Sequence, residues 1–398
     1  MACIASASKP IESKKLLYGE VAAKVGLDYG VLRINYLQYE HGILQMEFEK
    51  GGLGNVIKPR PIQVTKKFDP KIKSLVEKEI NTLLRFIASS LTLQALQITC
   101  FHEIINKVGQ AIYSVIPTSI VEQLQEMPNG SLLTLSLDDR VLGWPWELAY
   151  DGSEYLCTKF GVGRIIYSEA VLPIKRKERR ETRILLISNP DGTLPHTDTE
   201  IADPLMDKME RFGAQVDHFS SSCSDLRFYP SKKNILSALE SGLYDIIHYV
   251  GHGAYDPNHP ERSSLSLADN EELLAKEISG ALNQAINLGK QPPLLFYSHS
   301  CEAGAQQSWD MQSYEAQILG LPAAFIKFNI AYIGALWSAS FKGADQIALQ
   351  FYDELLDKGQ PVGLALRNAR LSVKNRASET CDWANFILYG DPSLIIKI

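Results

Sequence analysis

From about residue 130 onward, apolar segments of strand length alternate with amphipathic segments of helix length. Near-continuous apolar strands that alternate with helices are typical of a mostly parallel sheet with helices on both faces. In such sheets the functional site lies at the carboxyl ends of the strands. The predicted strands cover 132–137, 163–167, 183–188, 245–250, 294–298 and 331–336, and the predicted helices lie near 200–212, 231–241, 272–288, 312–328, 343–358 and 362–376.

The first 95 residues have a different pattern. Alternating polar and apolar residues flank His41-Gly42 and predict a β-hairpin. Asp69-Pro70 predicts the start of a helix, because aspartate caps helices and proline is tolerated in the first turn. We therefore predict a small N-terminal α+β module over residues 1–95, with a regulatory or docking role, and a second domain over residues 96–398.

The composition limits the classes of function. With 45% hydrophobic and 22% charged residues, the 398-residue chain can bury a substantial core. Its net charge of -6 gives no general attraction to nucleic acid or anionic membranes. No apolar run reaches the roughly 18 residues of a membrane-spanning helix, and the first residues lack the pattern of a secretory signal. The six cysteines are scattered without a C-x-x-C pair, so we expect free thiols and a cytoplasmic location.

Two of the predicted strands lead into a reactive side chain. The first delivers His252, which stands between two glycines, and the second delivers Cys301. A thiol and an imidazole at the ends of two strands of one sheet can converge as nucleophile and general acid/base. We expect Gly251 and Gly253 to allow unusual backbone angles and close approach of a substrate. The N–H groups of Gly253 and Cys301 are the natural pair to bind a developing oxyanion.

Both residues also have an ordinary structural interpretation. A cysteine on a core strand is more often buried and inert, and a histidine between glycines can be a hydrogen-bonded turn residue. Cys301 departs from that pattern because the polar triplet 298–300 precedes it, which indicates a strand that is leaving the core. Signatures of nucleotide binding and of serine hydrolases (Walker A, G-x-G-x-x-G and G-x-S-x-G) do not occur in the sequence.

A metal site is the main chemical alternative. In an extended strand His248 and His252 lie roughly 13 Å apart, which is too far for both to bind one zinc ion. His299 and Cys301 could share one face of a strand, but the sequence offers no two convincing further ligands for them. We therefore predict no metal and no cofactor, and a structural role for His248 near the site.

At these residues the sequence resembles the CHAT family of caspase-like domains, which is related to separases, metacaspases and caspases. The family's histidine strand is similar to 245–253, and its cysteine strand is similar to 298–301. Other similar segments, in the family's order, are 143–151 (an early Pro-x-Glu segment), 331–337 and 386–392. The resemblance covers about residues 100–398. It implies an α/β caspase-hemoglobinase fold and the hydrolysis of peptide bonds.

The resemblance also implies roles for individual residues. Cys301 attacks the scissile carbonyl, while His252 protonates the leaving amine and later helps to activate water, and no third carboxylate is required. Many relatives carry an acidic residue directly after the position of Trp337, whereas here Ser338 follows and Asp345 comes later. That departure leaves undecided whether Asp345 takes the place of the missing acidic residue.

Specificity is only weakly visible in the sequence. Related peptidases that cut after arginine or lysine have an acidic residue in the pocket for that side chain. The candidate pocket residues are Asp310, Glu315, Asp345 and Trp337, although a carboxylate in such a position more often lies at a helix end or on the surface. If the pocket is acidic, the basic run 175–183, otherwise a solvated connector, becomes a candidate for self-cleavage.

We therefore predict a cytoplasmic, prokaryotic cysteine endopeptidase that cleaves one or a few protein targets in antiviral defence or regulated death. A signal or an activating protein that binds the N-terminal module would switch it on, and no direct nucleic-acid or membrane partner is predicted. Two alternatives stay open. One is a catalytically silent scaffold with the same fold, and the other is a metal or ligand sensor that uses His248, His299 and Cys301.

Overall fold

The strands of the computed structural model form one 13-stranded sheet, and helices pack on both of its faces. The structure describes residues 26–38, 43–51, 60–67, 69–89, 96–138, 141–166, 181–194, 196–254, 256, 259–301, 320–337, 341–376 and 382–397. The strands are β1 (Tyr29–Gln38), β2 (Ile43–Gly51), β3 (Ile62–Lys67), β4 (Leu132–Leu137), β5 (Gly161–Ile166), β6 (Arg183–Ser188), β7 (Gln215–Ser220), β8 (Ile246–Ala254), β9 (Ser264–Ser266), β10 (Glu272–Leu274), β11 (Leu295–Cys301), β12 (Ala331–Ala335) and β13 (Phe386–Tyr389).

Ten α-helices lie within the described ranges. They are α1 (Pro70–Ser89), α2 (Leu96–Tyr113), α3 (Thr118–Glu126), α4 (Leu156–Lys159), α5 (Asp203–Arg211), α6 (Lys232–Ser241), α7 (Ala275–Asn287), α8 (Leu321–Ile326), α9 (Phe341–Tyr352) and α10 (Val362–Arg376). None of these helices is long and apolar enough to cross a membrane.

Nine of the 13 strands form two parallel groups that run in opposite directions. Its main order is β7-β6-β8-β11-β12-β13-β5-β4-β1-β2-β3, and the β9–β10 hairpin pairs with the end of β8. Strands β6, β7, β8, β11 and β12 are parallel to one another, whereas β13, β5, β4 and β1 run the opposite way, and the two groups meet at the antiparallel pair β12–β13. The carboxyl ends of the first group therefore share one edge of the sheet, which we call the upper edge.

The two faces of the central strands bury different helices. His248 of β8 and Tyr297 of β11 pack against Tyr352, at the end of α9. Phe296, the residue before Tyr297, stacks on Phe325 of α8. Because successive side chains of a strand point to opposite faces, α9 and α8 cover the two sides of the sheet. The predicted mostly parallel sheet with helices on both faces is confirmed.

Several predicted boundaries shift in the structure. The strands 132–137 and 183–188 and the helix 362–376 coincide with β4, β6 and α10. β8 and β11 are longer than predicted, because they keep pairing in register as far as His252 and Cys301. Both residues thus lie within the last residues of a strand, and the prediction that they follow the strand ends was wrong by a few positions.

Short strands were the least visible in the sequence. The helix predicted for 272–288 begins at Ala275, because residues 272–274 form β10 and pair with β9. The edge strand β7 was also missed, since its exposed and half-buried residues give no continuous apolar run. Of the helix predicted for 312–328, α8 is the described part, and residues 312–319 lie outside the described ranges.

The first described strands extend the same sheet. β1 pairs in parallel with β4 from Tyr29 to Ile34, and β2 and β3 follow at the edge. Leu32 and Ile34 are fully buried and belong to the same hydrophobic cluster as Leu135 of β4. The division of the chain at residue 95 stays a prediction, and both the sheet and its core run across that point.

Candidate functional site

The candidate site lies where β8 and β11 reach the upper edge. The two strands pair in parallel from Ile246 opposite Leu295 to His252 opposite Cys301, which is the last residue of β11. Neighbouring strands are about 4.8 Å apart, so the two backbone positions are immediate neighbours across the ladder. The structure thus brings together the two reactive residues that the sequence singled out, although 49 positions separate them in the chain.

His252 is half-buried, and the glycines on either side of it have different surroundings. Its Nδ1 is buried and has no hydrogen-bonding partner among the described residues. Neither Gly251 nor Gly253 has a positive φ, so the expectation of unusual backbone angles was wrong. A Cβ at Gly251 would lie 2.5 Å from the Tyr249 hydroxyl oxygen, whereas one at Gly253 would meet Ser300 Oγ at 3.4 Å. Gly251 is needed for close packing and not for a special backbone conformation.

The direction of the backbone bears on the predicted oxyanion donors. The carbonyl of Val250 accepts a hydrogen bond from the N–H of Asn189, just after β6, so it points to the β6 side of β8. Backbone polar groups of successive strand residues point to alternate sides. The N–H of Gly253, three residues further, therefore points to the β11 side, just beyond the level of Cys301. This orientation suits the predicted oxyanion role of Gly253, which stays a prediction together with that of Cys301.

His248 is a structural residue of the core beneath the site. Its side chain is fully buried, its ring stacks on Tyr297 with centroids 4.6 Å apart, and its Nδ1 lies 2.9 Å from the Tyr352 hydroxyl. Burial holds the pKa of His248 well below the ordinary value, and His299 nearby lowers it further, so the ring is neutral at physiological pH. Within the described ranges, no three histidine, cysteine or carboxylate side chains are grouped so that they could bind a metal ion.

A buried histidine–carboxyl pair lies next to the candidate nucleophile in sequence. His299, two residues before Cys301, is 2% exposed, and its Nε2 lies 3.5 Å from Oδ1 of Asp345 on α9. This distance is too long for a good hydrogen bond, and neither ring nitrogen of His299 has a hydrogen-bonding partner among the described residues. Asp345 is the only one of the three predicted pocket carboxylates that falls within the described part of the chain.

The environment shifts the two pKa values of this pair in opposite directions. Burial lowers the pKa of His299 to about 4. Burial, with the charges of Glu200 and Asp382 adding to it, raises the pKa of Asp345 to about 7. Near neutral pH the imidazole is therefore uncharged, although its distance to Asp345 is that of an ion pair. The Asp345 carboxyl exchanges between its protonated and its charged form in the same pH range. The partnership could not be read from the sequence, since 46 positions separate the two residues.

Trp337 lies just after β12, and a buried asparagine fixes its backbone. The Trp337 N–H donates to Asn385 Oδ1 at 2.8 Å, and Asn385 Nδ2 donates to the Trp337 carbonyl at 2.7 Å. The Trp337 side chain is buried and meets Phe101 of α2 edge-on. Sequence reasoning missed Asn385, because a single asparagine before an apolar strand gives no signal of its partner.

The early Pro-x-Glu segment holds a buried ion pair. Glu147 accepts hydrogen bonds from Nε and Nη2 of Arg164 on β5, each at 2.5 Å, and the two side chains are 3% and 0% exposed. Arg164 also donates to the carbonyls of Leu142 and Trp144, at 2.8 and 2.9 Å. The glutamate of this segment therefore joins the chain after β4 to β5 and has a structural role.

Other predicted features lie outside the described residues. These are Asp310 and Glu315, the position after Trp337, and residues 175–180 of the basic run. The strands that flank that run, β5 and β6, end and begin at the edge opposite the upper edge. The run is thus joined to the sheet far from His252.

Comparison with known proteins gives a domain match and distant structural likenesses, among them a gingipain and a caspase. A family model described as the CHAT domain matches residues 106–391. No curated protein matches the chain. An Arg-specific cysteine proteinase, gingipain R, is 11% identical with a TM-score of 0.47, over 82% of this chain and 76% of its own. The Drosophila initiator caspase Dronc is 10% identical with a TM-score of 0.34, over 55% of this chain and 84% of its own.

Proposed function

The chain belongs to the CHAT-domain family, and we propose that it is a cysteine endopeptidase that cleaves one or a few protein targets. The domain match extends over residues 106–391, a range that contains both His252 and Cys301. The resemblance inferred from the sequence is thereby confirmed at the level of the family. The catalytic residues, the targets and the biological setting are parts of the proposal.

The observation that carries the proposal is the register of β8 and β11. His252 and Cys301 are direct partners at the end of the parallel ladder, on the edge where sites of such sheets lie. Adjacent thiol and imidazole groups can form a nucleophile and its base. A structural cysteine would need no histidine opposite it, so the coincidence of the two residues favours catalysis over a silent scaffold.

The proposed reaction has two steps. The Cys301 thiol transfers its proton to His252 as the sulfur attacks the scissile carbonyl, and the N–H groups of Gly253 and Cys301 bind the resulting oxyanion. The C–N bond then breaks, and His252 gives the proton to the leaving amine. Water attacks the thioester with His252 as base, which releases the new carboxyl group and restores the thiol.

We also propose that Asp345 lies in the pocket for the side chain before the cleaved bond and favours arginine or lysine there. His299 lies two residues before Cys301 in β11, which is roughly 6.6 Å along the strand. Asp345 contacts His299. With a pKa of about 7, the Asp345 carboxyl loses its charge progressively as the pH falls below neutral. The KM for basic substrates should then rise as the pH falls below 7, and Asp345→Asn should abolish this dependence.

The experiment that tests the peptidase is cleavage of a diverse peptide library, read by mass spectrometry. Wild-type protein should cut peptides, whereas Cys301→Ala and His252→Ala should not. Cys223→Ala is the matched control, because Cys223 is a free and partly exposed cysteine. Cleavage that persists in Cys301→Ala would contradict the proposal.

The biological setting is proposed from the family resemblance alone. We propose a cytoplasmic role in prokaryotic antiviral defence or regulated death, with activation by a partner that contacts the N-terminal strands. Incubation of the protein with the products of neighbouring genes tests this setting. A neighbouring product that is cut, or that stimulates peptide cleavage, would support it, and activity that no neighbouring product affects would count against it.

A further inference from the structure

A buried tyrosine hydroxyl lies against the backbone of the candidate catalytic histidine. Tyr249 is fully buried in β8, and its hydroxyl oxygen lies 2.7 Å from the His252 carbonyl oxygen and 2.8 Å from that of Ser266 in β9. A phenol has one proton, so it donates to one of these carbonyls or is shared between them. Burial is the main cause that raises the pKa of Tyr249 well above the ordinary value, so the proton is retained.

This hydroxyl lies at a gap in the strand pairing. On one side of β8 the ladder with β6 ends at Val250, and the hairpin strand β9 begins to pair only at Gly253. The Val250 carbonyl points to that side, where it accepts from Asn189. By alternation the His252 carbonyl points the same way. It faces the break between the two ladders, and the Tyr249 hydroxyl fills that break.

Gly251 makes this contact feasible. A Cβ at this position would lie 2.5 Å from the Tyr249 hydroxyl oxygen, 2.7 Å from Cζ of the same ring and 3.0 Å from Pro190 Cδ. Real side chains do not approach so closely, so any larger residue would push the ring away from the His252 carbonyl. The glycine before His252 and the tyrosine three residues before it are therefore parts of one arrangement.

We propose that Tyr249 is a positioning residue that holds the His252 backbone at the level of Cys301 and links it to the β9–β10 hairpin. The inference rests on the proposed roles of His252 and Cys301. Tyr249 lies on the opposite face of β8 from His252, because three positions separate the two residues. It acts through the His252 carbonyl and does not touch the reacting atoms.

The test replaces Tyr249 with phenylalanine, which removes only the hydroxyl group. We expect kcat to fall about fivefold to tenfold with KM changed less than about twofold, as for the loss of one neutral hydrogen bond that orients a catalytic group. Gly251→Ala should cause a similar loss. The double variant should lose little more than either single one, because both changes break the same contact.

Tyr297→Phe is the matched control. Tyr297 is equally buried on the neighbouring strand, and its hydroxyl has no hydrogen-bonding partner among the described residues. This variant should keep the wild-type kcat and should melt no lower than the wild type, because it loses no hydrogen bond to any described residue. If Tyr249→Phe melts far below the wild type, the kcat of Gly251→Ala tests the inference instead. It is measured at a temperature where that variant is folded.

A second measurement does not depend on turnover. The ring resonances of His252 can be followed by NMR in protein with isotope-labelled histidine, and assigned with a His252→Gln variant. They should shift or broaden in Tyr249→Phe and stay unchanged in Tyr297→Phe. Wild-type kcat together with unchanged His252 resonances in Tyr249→Phe would overturn the inference. If wild-type protein shows no cleavage that depends on Cys301, either alone or with the products of neighbouring genes, the proposed peptidase fails, and the NMR result still decides the role of Tyr249.

Discussion

At the residue scale, burial acts on His299 and Asp345 in opposite ways. The interior disfavours the charged form of each group. Burial therefore lowers the pKa of a histidine, which is charged when it is protonated, and raises the pKa of a carboxyl, which is charged when it is deprotonated. The pKa of His299 accordingly falls to about 4, and that of Asp345 rises to about 7. Each shift makes the free energy of unfolding depend on pH, and the two dependences differ in sign.

The first prediction concerns Asp345→Asn. The folded state binds a proton at Asp345 that the unfolded state has already lost between pH 4 and 7, so wild-type stability falls as the pH rises through this range. Asparagine resembles the protonated acid and does not titrate. At pH 4 the variant and the wild type should have the same free energy of unfolding. Between pH 4 and 7 the variant should become more stable than the wild type by up to about 1.4 kcal/mol per pH unit, and above pH 7 the difference should stay constant. Urea denaturation at four pH values measures this difference.

His299→Gln should give the opposite sign. Below pH 6.5 the unfolded chain gains a proton at this histidine that the folded state does not accept until about pH 4, so the wild type loses stability as the pH falls. The free energy of unfolding of the glutamine variant should therefore increase relative to that of the wild type as the pH falls from 6.5 to 4. If both variants shift stability in the same direction with pH, the assigned protonation states are wrong.

The candidate site shows what a single sequence can reveal about residues. His252 and Cys301 were visible because each combines a reactive side chain with a strand-like approach and small neighbours. The partners of His299, Trp337 and His252 were not visible. These partners are, in the same order, Asp345, Asn385 and the Tyr249 hydroxyl. Their contacts depend on strand register and helix packing, which are tertiary features.

At the element scale, the length of β8 and β11 was the main error that affected the site. The predicted strands end at 250 and 298, before a Gly-His-Gly segment and within a polar run, but pairing continues to His252 and Cys301. Backbone hydrogen bonds do not depend on side-chain polarity. The hydroxyl groups of Ser298 and Ser300 form a hydrogen bond with each other, with 2.7 Å between their Oγ atoms. Polarity alone therefore marks the end of a strand poorly.

The element-scale prediction concerns the pair formed by Arg164 and Glu147, which joins β5 to the segment after β4. Arg164→Met leaves a buried carboxylate without its partner and should lower the free energy of unfolding by about 3–5 kcal/mol. The double variant Glu147→Leu/Arg164→Met should recover most of this loss, because no uncompensated charge remains. Urea denaturation measures both variants.

Arg227→Met is the control for this pair. Arg227 also contacts an acid, Asp225, but its side chain is 81% exposed. Its replacement should leave the midpoint of unfolding unchanged, since exposed ion pairs contribute little. An equal loss in Arg164→Met and in the double variant would show that the packing of the arginine and its hydrogen bonds to the carbonyls of Leu142 and Trp144, and not its pairing with Glu147, hold β5 in place.

At the scale of the whole molecule, one sheet joins the N-terminal strands to the part that carries His252 and Cys301. The pattern of the first 95 residues correctly indicated strands and a helix, but periodicity cannot show which sheet a strand joins. The parallel pairing of β1 with β4 and the shared core around Leu32, Ile34 and Leu135 give the first strands a structural role.

The corresponding prediction is that a fragment of residues 96–398 will not fold by itself. Without β1, the backbone of β4 is left unpaired at an exposed edge, and its apolar neighbours lose their cover, which favours aggregation. Expression of the fragment should give insoluble protein, and co-expression with residues 1–95 should restore solubility. A soluble fragment with a cooperative melting transition would instead establish two independent domains.

The pairing of His252 with Cys301 is tested most directly by covalent labelling. Peptidyl acyloxymethyl ketones ending in arginine, lysine or leucine react with a cysteine that is activated as a nucleophile, and peptide mapping identifies the labelled residue. We predict one adduct, on Cys301, that forms at least about tenfold more slowly in His252→Ala, while Cys223 stays unlabelled. Equal labelling of Cys301 with and without His252, or labelling of Cys223 at the same rate, would contradict a catalytic dyad.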